Sequence, residues 1–130
     1  MTSSVATPTE GAATLDELWG EVVGQPDLVG ALRAAAASPV HAYLLVGPEG
    51  SGRRAAASAF AAELLVRSAS ETAEGELATA EVERIVRLVD TGVHPSLAFV
   101  ERDGASISAE QARDVVRRAS MAPGEGDLQV

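Results

Sequence analysis

The sequence predicts an α/β fold in which helices pack on a parallel β-sheet, and three observations support this prediction. Residues 42–46, AYLLV, form a continuous apolar run, which is typical of a strand covered on both faces. A glycine-rich turn, residues 47–52, follows directly and leads into an alanine-rich segment of helical composition. Further strand-like and helix-like segments then alternate along the chain, as they do in domains built on parallel sheets.

The chain before this strand is expected to contribute a polar lead-in and two short helices. Residues 1–13 are small and polar, which predicts a disordered lead-in, and residues 14–130 are expected to form the domain. One helical turn is predicted from Leu15 to Trp19. A second helix is expected to start at Pro26, because proline is favoured at the first helical position, and to end at Ser38–Pro39.

After the glycine turn, the pattern predicts two helices separated by a loop, and then a second strand. The first of these helices is expected to span residues 53–66, and the polar residues 67–78 are expected to form the loop. From Thr79 the apolar residues recur at helical spacing, and Gly92 stands where a left-handed C-terminal cap belongs. Residues 97–101 are the second strand candidate.

The C-terminal part predicts one more helix and the start of a third strand. Ser108 and Gln111 have the spacing of a capping box, in which each side chain binds the backbone of the other residue. Residues 128–130 are expected to begin the third strand. Because parallel strands need neighbours in a multi-stranded sheet, the chain is expected to be a truncated part of a larger domain.

The composition excludes several classes of function. A net charge of −9 and a pI of about 4.6 disfavour strong non-specific nucleic-acid binding, which needs many cationic contacts to phosphates. The chain has no cysteine, and its two histidines, His41 and His94, are too few for a structural zinc site, so no metal is expected. The sequence also lacks an apolar run of the roughly 20 residues that span a membrane and the pattern of a signal peptide. A cytoplasmic protein without membrane contact is therefore expected.

The glycine-rich turn has the spacing of a nucleotide-binding P-loop, GxxxxGK[ST], but lacks two of its chemical groups. Gly47 and Gly52 hold the spacing, and the strand before and helix after supply the required context. Arg53 replaces the lysine that reaches the β- and γ-phosphates, and Arg54 replaces the hydroxyl that ligates Mg²⁺. No lysine exists elsewhere in the chain to substitute. We therefore predict a vestigial phosphate loop, formed by Gly47, Pro48, Gly50, Gly52, Arg53 and Arg54.

Two functions stay open for this turn. Its backbone amides and the helix N-terminus attract anions, so weak nucleotide or phosphate binding is compatible with the sequence. Hydrolysis is not expected, and no catalytic residue is assigned. Alternatively, the turn is a connector that binds no nucleotide. The planar fork of arginine does not replace the compact ammonium of lysine in a tight loop, which favours the connector.

Short motifs, in order along the chain, resemble those of the delta-prime subunit family of the bacterial DNA polymerase III clamp loader. The matching residues are Val23-Gly24-Gln25, His41-Ala42-Tyr43-Leu44-Leu45, Gly47 to Arg53, Gly92-Val93-His94-Pro95, Ile107 with Gln111 and Arg113, and Pro123, Gly126 and Val130. The resemblance extends from about residue 18 to residue 130. It implies a partial AAA+-like P-loop NTPase domain that ends near the start of the Walker B strand.

The resemblance also implies a function in DNA replication. It suggests a non-hydrolysing stator subunit, not an enzyme by itself, in the loader that opens the sliding clamp. The implied partners are the gamma/tau ATPase subunits and delta and, indirectly, the sliding clamp and primed DNA. Two features depart from the family: Ser96 replaces an aspartate, and Val66 with residues 67–78 replaces a four-cysteine zinc module, so no zinc is expected. The family's arginine-finger segment would lie beyond Val130.

Other hypotheses are an active ATPase, such as a gamma/tau-like motor subunit in which Arg53 takes over the role of lysine, and an unrelated nucleotide-free interaction module. His41 is interpreted as structural, and His94 as shaping the entry to the second strand. A group of arginines near the C-terminus is interpreted as a solvated helix face rather than a binding patch. Its members are Arg102, Arg113, Arg117 and Arg118.

Overall fold

The computed structural model describes residues 14–124 and 126–130, and this part of the chain contains five α-helices. They are α1 (Leu15–Gly20), α2 (Pro26–Ala35), α3 (Arg53–Thr72), α4 (Thr79–Asp90) and α5 (Ala109–Ala119). The predicted disordered lead-in, residues 1–13, lies outside the described residues. No strand forms within the described ranges, so the parallel sheet predicted from the sequence is not confirmed.

The helix N-termini begin where local capping chemistry predicts. The hydroxyl of Thr14 accepts a hydrogen bond from the Glu17 N–H at 3.1 Å, which starts α1. Pro26 is the first residue of α2. At α5 the capping box is confirmed: the Gln111 N–H donates to Ser108 Oγ at 3.1 Å, and the Ser108 N–H donates to Gln111 Oε1 at 3.0 Å. These bonds satisfy amides that a helix terminus otherwise leaves without partners.

The C-terminus of α4 confirms the predicted glycine cap. Gly92 has a φ of 75°, in the left-handed region. Its N–H donates to the Val89 carbonyl at 2.9 Å, and the Val93 N–H donates to the Leu88 carbonyl at 2.8 Å. This pair of bonds is the Schellman motif, which ends a helix and turns the chain. The turn directs the chain towards Phe99, whose ring lies 3.5 Å from where a Gly92 Cβ would stand.

The helix after the glycine turn is longer than the sequence predicted. It continues past Val66 to Thr72, so the expected loop at residues 67–78 begins only at Ala73. The extra turn and a half is made of alanine, serine and charged residues that keep a helix soluble on its outer face. The Ser70 hydroxyl donates to the Val66 carbonyl at 2.9 Å, so this polar side chain finds its partner within the helix. The predicted loop is therefore wrong for residues 67–72, because the small polar residues on which it was based also occur on exposed helix surfaces.

The core forms around α3, which packs against α1, α2 and α4. Small side chains on α3, such as the fully buried Ala56, Ala59 and Ala62, allow the neighbouring helices to approach closely. Larger side chains from α1 and α4 fill the remaining space; Leu18, Ile85, Val86 and Val89 are at most 1% exposed. In contrast, α5 contributes no buried residue to this cluster.

Residues 42–46 alternate between the core and solvent as a strand would, but no strand forms there. Tyr43 packs edge-on against Phe60, with the ring centroids 4.8 Å apart, and Leu45 contacts the core. Leu44 and Val46 point outwards and are 87% and 84% exposed. No backbone hydrogen bond joins residues 42–46 to the rest of the described chain. The predicted covering of both faces is not confirmed, because within the described residues only the face with Tyr43 and Leu45 meets the core.

The other two strand candidates make a single point of pairing. The Ala98 N–H donates to the Val130 carbonyl at 2.9 Å, and the Val130 N–H donates to the Ser96 carbonyl at 2.8 Å. Val130 thus bonds to Ser96 and Ala98, the residues before and after Leu97. This is the hydrogen-bond pattern of two parallel strands. The pairing runs in the expected direction but does not amount to a sheet.

Candidate functional site

In the glycine turn between residues 46 and 53, two residues have backbone angles that only glycine adopts easily. Gly50 has a φ of 79°, and Gly52 has a φ of 89°. Gly52 is the N-cap of α3 and brings no capping side chain. The Ser51 N–H donates to the Pro48 carbonyl at 3.2 Å and closes the turn. A side chain at either glycine would cost about 1–2 kcal/mol, so these two predicted loop residues set the shape of the turn.

The interior of the turn holds the side chain of Ser51. A Cβ built on Gly47 would lie 2.7 Å from Ser51 Oγ, so only glycine fits at position 47 without a shift of Ser51. Ser51 Oγ is buried and has no hydrogen-bond partner within residues 14–124 and 126–130. A hydroxyl left without a partner in a buried place is unusual. Ser51 also lines a small cavity of the turn, so this hydroxyl is available to a small ligand group.

Arg53 is the cation of this site. It is the first residue of α3, is exposed, and lines a cavity of about 230 Å³ together with Gly47, Pro48 and Ser51. It forms no ion pair with any described residue. The first turn of α3 contains no acidic residue, so its amides and the positive end of the helix dipole are not neutralised locally. The electrostatics of the cavity therefore favour an anion.

Arg54 points away from this cavity. Its Nη1 atom donates to Glu101 Oε1 at 2.5 Å, and its guanidinium lies 5.4 Å from the centre of the Phe99 ring. The two charged side chains are 71% and 67% exposed, so their ion pair contributes only about 0–1 kcal/mol. Of the residues predicted for the phosphate loop, the structure gathers Gly47, Pro48 and Arg53 around one cavity, while Arg54 lies elsewhere.

The two histidines have different surroundings. His94 is 4% exposed, and its Nδ1 accepts a hydrogen bond from the Ser96 N–H at 3.0 Å, which folds the chain tightly at the entry to residues 97–101. His41 is exposed and makes no hydrogen bond within the described residues.

Two of the four C-terminal arginines, Arg117 and Arg118, have a local partner. Arg118 Nε donates to Asp114 Oδ2 at 2.8 Å, and Arg117 pairs with the other oxygen of the same carboxylate. The hydrogen bond from Arg118 lowers the pKa of Asp114, and the charges of both arginines act in the same direction. All of these groups lie on an exposed helix, which is what a solvated charged face looks like.

A buried carboxylate that sequence reasoning missed links α1, α2 and α3. The side chain of Glu63 is 4% exposed, and its Oε1 accepts from Trp19 Nε1 at 3.1 Å and from Arg33 Nε at 3.0 Å. Arg67 Nε lies 3.7 Å from Oε2. Burial acts to lower the pKa of Arg33, but its bonds to Asp16 and Glu63 raise it overall. The available signal was a charged residue inside the apolar run FAAELLV, because a charge that a helix buries needs a polar partner. The single tryptophan of the chain is one such partner.

Metal binding and membrane insertion find no support in the described part of the chain. Residues 14–124 and 126–130 contain no group of three or more histidine, aspartate or glutamate side chains that could hold a metal ion. None of the five helices is long and apolar enough to cross a membrane.

The comparison with protein families decides the assignment. The family described as DNA polymerase III, delta subunit, matches residues 24–130. The chain belongs to this family. It is also 40% identical over 83 residues to DNA polymerase III subunit delta' of Pseudomonas aeruginosa, an alignment that covers 62% of this chain and 24% of the relative. The chain thus spans about a quarter of the length of that relative. No solved structure matches significantly. The resemblance inferred from the short motifs is confirmed.

Proposed function

We propose that this protein is a non-hydrolysing stator subunit of a DNA polymerase III clamp loader. In this function it contributes contacts to the other subunits, gamma/tau and delta, and does not turn over ATP. Membership of the delta subunit family and the likeness to a delta' protein support a role in DNA replication. The acidic, lysine-free composition is compatible with a subunit that does not grip DNA itself.

The position of Arg54 is the observation that carries this proposal. Phosphoryl transfer in P-loop proteins needs a metal ion that bridges the β- and γ-phosphates and is held by the hydroxyl of the motif. Here that position carries a guanidinium bound to Glu101 at 2.5 Å, which supplies no metal ligand. The preceding Arg53 replaces a compact ammonium by a planar fork. With both groups changed, the charge that develops on the transferred phosphoryl group lacks its usual stabilisation.

The loop nevertheless retains features that bind an anion. Arg53 without an ion-pair partner, the uncapped amides of α3 and the unpartnered Ser51 hydroxyl all meet one cavity. We therefore expect weak binding of phosphate or nucleotide that does not depend on Mg²⁺. Because Arg53 lines this cavity, it also favours the alternative, an active gamma/tau-like motor subunit in which Arg53 takes over the role of the lysine.

A titration with a fluorescent ATP analogue, with and without Mg²⁺, separates the two functions. For the natural chain we expect weak binding that Mg²⁺ does not strengthen, and no phosphate release. The matched comparison is the double variant Arg53→Lys with Arg54→Thr, which restores both groups of the motif and is expected to bind more tightly when Mg²⁺ is present. Micromolar, Mg²⁺-dependent binding and ATP turnover by the natural chain would favour the motor function.

Co-purification tests the stator function directly. A tagged form of the natural protein is mixed with the purified gamma/tau and delta subunits, and an unrelated protein of similar net charge serves as the control. We expect a stable complex that forms equally well without nucleotide. If no complex forms with either subunit, the stator function is contradicted and the hypothesis of an unrelated, nucleotide-free interaction module is favoured.

A further inference from the structure

The segment that joins α1 to α2, residues 21–25, lies against the glycine turn and borders its cavity of about 230 Å³. Val22 is buried, and its Cγ1 atom lies 3.6 Å from where a Cβ on Gly52 would stand. Gln25, the N-cap of α2, lines the same cavity as Arg53. Since buried contacts of this kind are close-packed, a shift of the segment changes the shape of the cavity.

One carboxylate, that of Glu63, holds the helices at both ends of this segment. Trp19 stands just before the segment, and its Nε1 donates to Glu63 Oε1 at 3.1 Å. The Val22 N–H donates to the Trp19 carbonyl at 3.1 Å, so Val22 is tied to the residue that Glu63 holds. At the other end, Arg33 Nε donates to the same Glu63 oxygen at 3.0 Å. Arg33 lies on α2, which is continuous from Pro26, so this bond also fixes the start of that helix.

Arg33 strengthens the same link, because it also contacts α1 directly. Its Nη1 atom donates to Asp16 Oδ1 at 3.1 Å, and its guanidinium lies 5.8 Å from the centre of the Trp19 ring. Glu63 therefore orients α1 twice, once through Trp19 and once through Arg33. Its own side chain is buried, so solvent does not take over these hydrogen bonds when the carboxylate is removed. A change at Glu63 is passed to α1 and α2, and through them to residues 21–25.

We propose that Glu63 is a positioning residue: through its bonds to α1 and α2, it holds residues 21–25 against the glycine turn and keeps the cavity in the shape that receives an anion. Glu63 is not among the residues that line the cavity, so it acts through the segment and not on the ligand. Without the carboxylate, Val22 withdraws from Gly52 and the turn opens more often. The ligand, a small anion, rests on the proposed function, whereas the link between Glu63 and the turn does not.

Amide hydrogen exchange, followed by NMR, tests this link without any ligand. The reporting amides lie in the segment and the turn and donate a backbone hydrogen bond there; they are those of Val22, Ser51 and Ala56. The reference is the Val93 amide, which closes the cap of α4. Relative to this reference, we expect Glu63→Ala to speed exchange of the reporting amides at least about tenfold. Glu63→Gln keeps an acceptor oxygen and is expected to restore slow exchange.

Two further variants separate positioning from a general loss of stability. Val86 is fully buried on α4, so Val86→Ala also destabilises the core, but we expect no change of the reporting amides relative to Val93. Trp19→Phe keeps an aromatic ring and removes the donor to Glu63, and is expected to speed the same amides at least about threefold. This variant decides the test if Glu63→Ala does not fold. Equal effects of Val86→Ala and the substitution at Glu63 or Trp19, or no effect of the latter, overturn the proposal.

Inorganic phosphate is the probe for the cavity itself. The chemical shifts of the amides of residues 47–53 are followed as phosphate is added, which gives a Kd for the natural protein and for each variant. We expect Glu63→Ala to weaken phosphate binding at least about fivefold, and Glu63→Gln and Val86→Ala to stay within about twofold of the natural protein. Equal weakening by Glu63→Ala and Val86→Ala overturns the proposal. If the natural protein binds no phosphate, the anion binding expected under the proposed function fails, and the exchange comparison still decides the link between Glu63 and the turn.

Discussion

Replacement of Glu63 by alanine tests whether the buried carboxylate joins the first three helices. The substitution removes the acceptor of two hydrogen bonds, one from Trp19 Nε1 and one from Arg33 Nε. Trp19 is only 3% exposed, so its N–H finds no water to replace the lost oxygen. Arg33 is 40% exposed at its side chain and regains hydration, so its share of the loss is small.

The size of the effect follows from these contacts. A buried donor left without a partner costs about 1–3 kcal/mol, and each lost methylene adds about 0.8 kcal/mol. For Arg33, solvent screening limits the loss to about 0.5–1 kcal/mol. We therefore expect Glu63→Ala to lower the free energy of unfolding by about 3 kcal/mol, a large part of the 5–15 kcal/mol typical of a small domain.

Urea unfolding followed by far-UV circular dichroism measures this change in all variants. Tryptophan fluorescence is unsuitable, because Trp19 is the single tryptophan and the variant Trp19→Phe lacks it. Trp19→Phe is expected to cost about 1 kcal/mol, and the double variant is expected to show a coupling of about 1–2 kcal/mol. Glu63→Gln keeps an acceptor oxygen and is the conservative control. A loss below about 0.5 kcal/mol for Glu63→Ala, or strictly additive losses, would refute the reasoning.

Three further predictions concern local features. Ser108→Ala removes a cap worth about 1 kcal/mol; since α5 buries no residue, we expect faster amide exchange within α5 and little change in the urea midpoint. Gly92→Ala forces a side chain into a φ of 75° and should lower the free energy of unfolding by about 1–2 kcal/mol, read from the same midpoint. Burial and, secondarily, Asp90 raise the pKa of Glu21, so its ionised form destabilises the fold. Glu21→Gln should therefore stabilise the protein at neutral pH by a few tenths of a kcal/mol after screening. That gain should vanish as the pH falls below about 4.3, where the carboxyl is neutral in both states. A gain that persists in acid would contradict the assigned cause.

Features that depend on neighbouring residues were predictable from the sequence. The capping box of Ser108 and Gln111 and the glycine cap at Gly92 involve bonds between residues a few positions apart, and both form as expected. The end of α3 was predicted at Val66 instead of Thr72, because serine and threonine are common in loops as well as on exposed helix surfaces.

The candidate site was predictable in its backbone and not in its side-chain contacts. The spacing of Gly47 and Gly52 indicated a turn that leads into a helix, and the structure has one. The direction of Arg54 was not predictable, because its partner Glu101 stands 47 residues further along the chain. The bond from Trp19 to Glu63 spans 44 residues and was missed for the same reason.

The sequence by itself determined where the helices begin, the caps at Ser108 and Gly92, the glycine turn and the family of this protein. Only the tertiary structure decided that Arg54 binds Glu101, that Glu63 is buried between three helices, and that no strand forms among the residues that the structure describes. The physical reason is the range of the hydrogen bonds. A helix satisfies its own backbone within four residues, whereas a strand needs a partner that the local sequence does not specify.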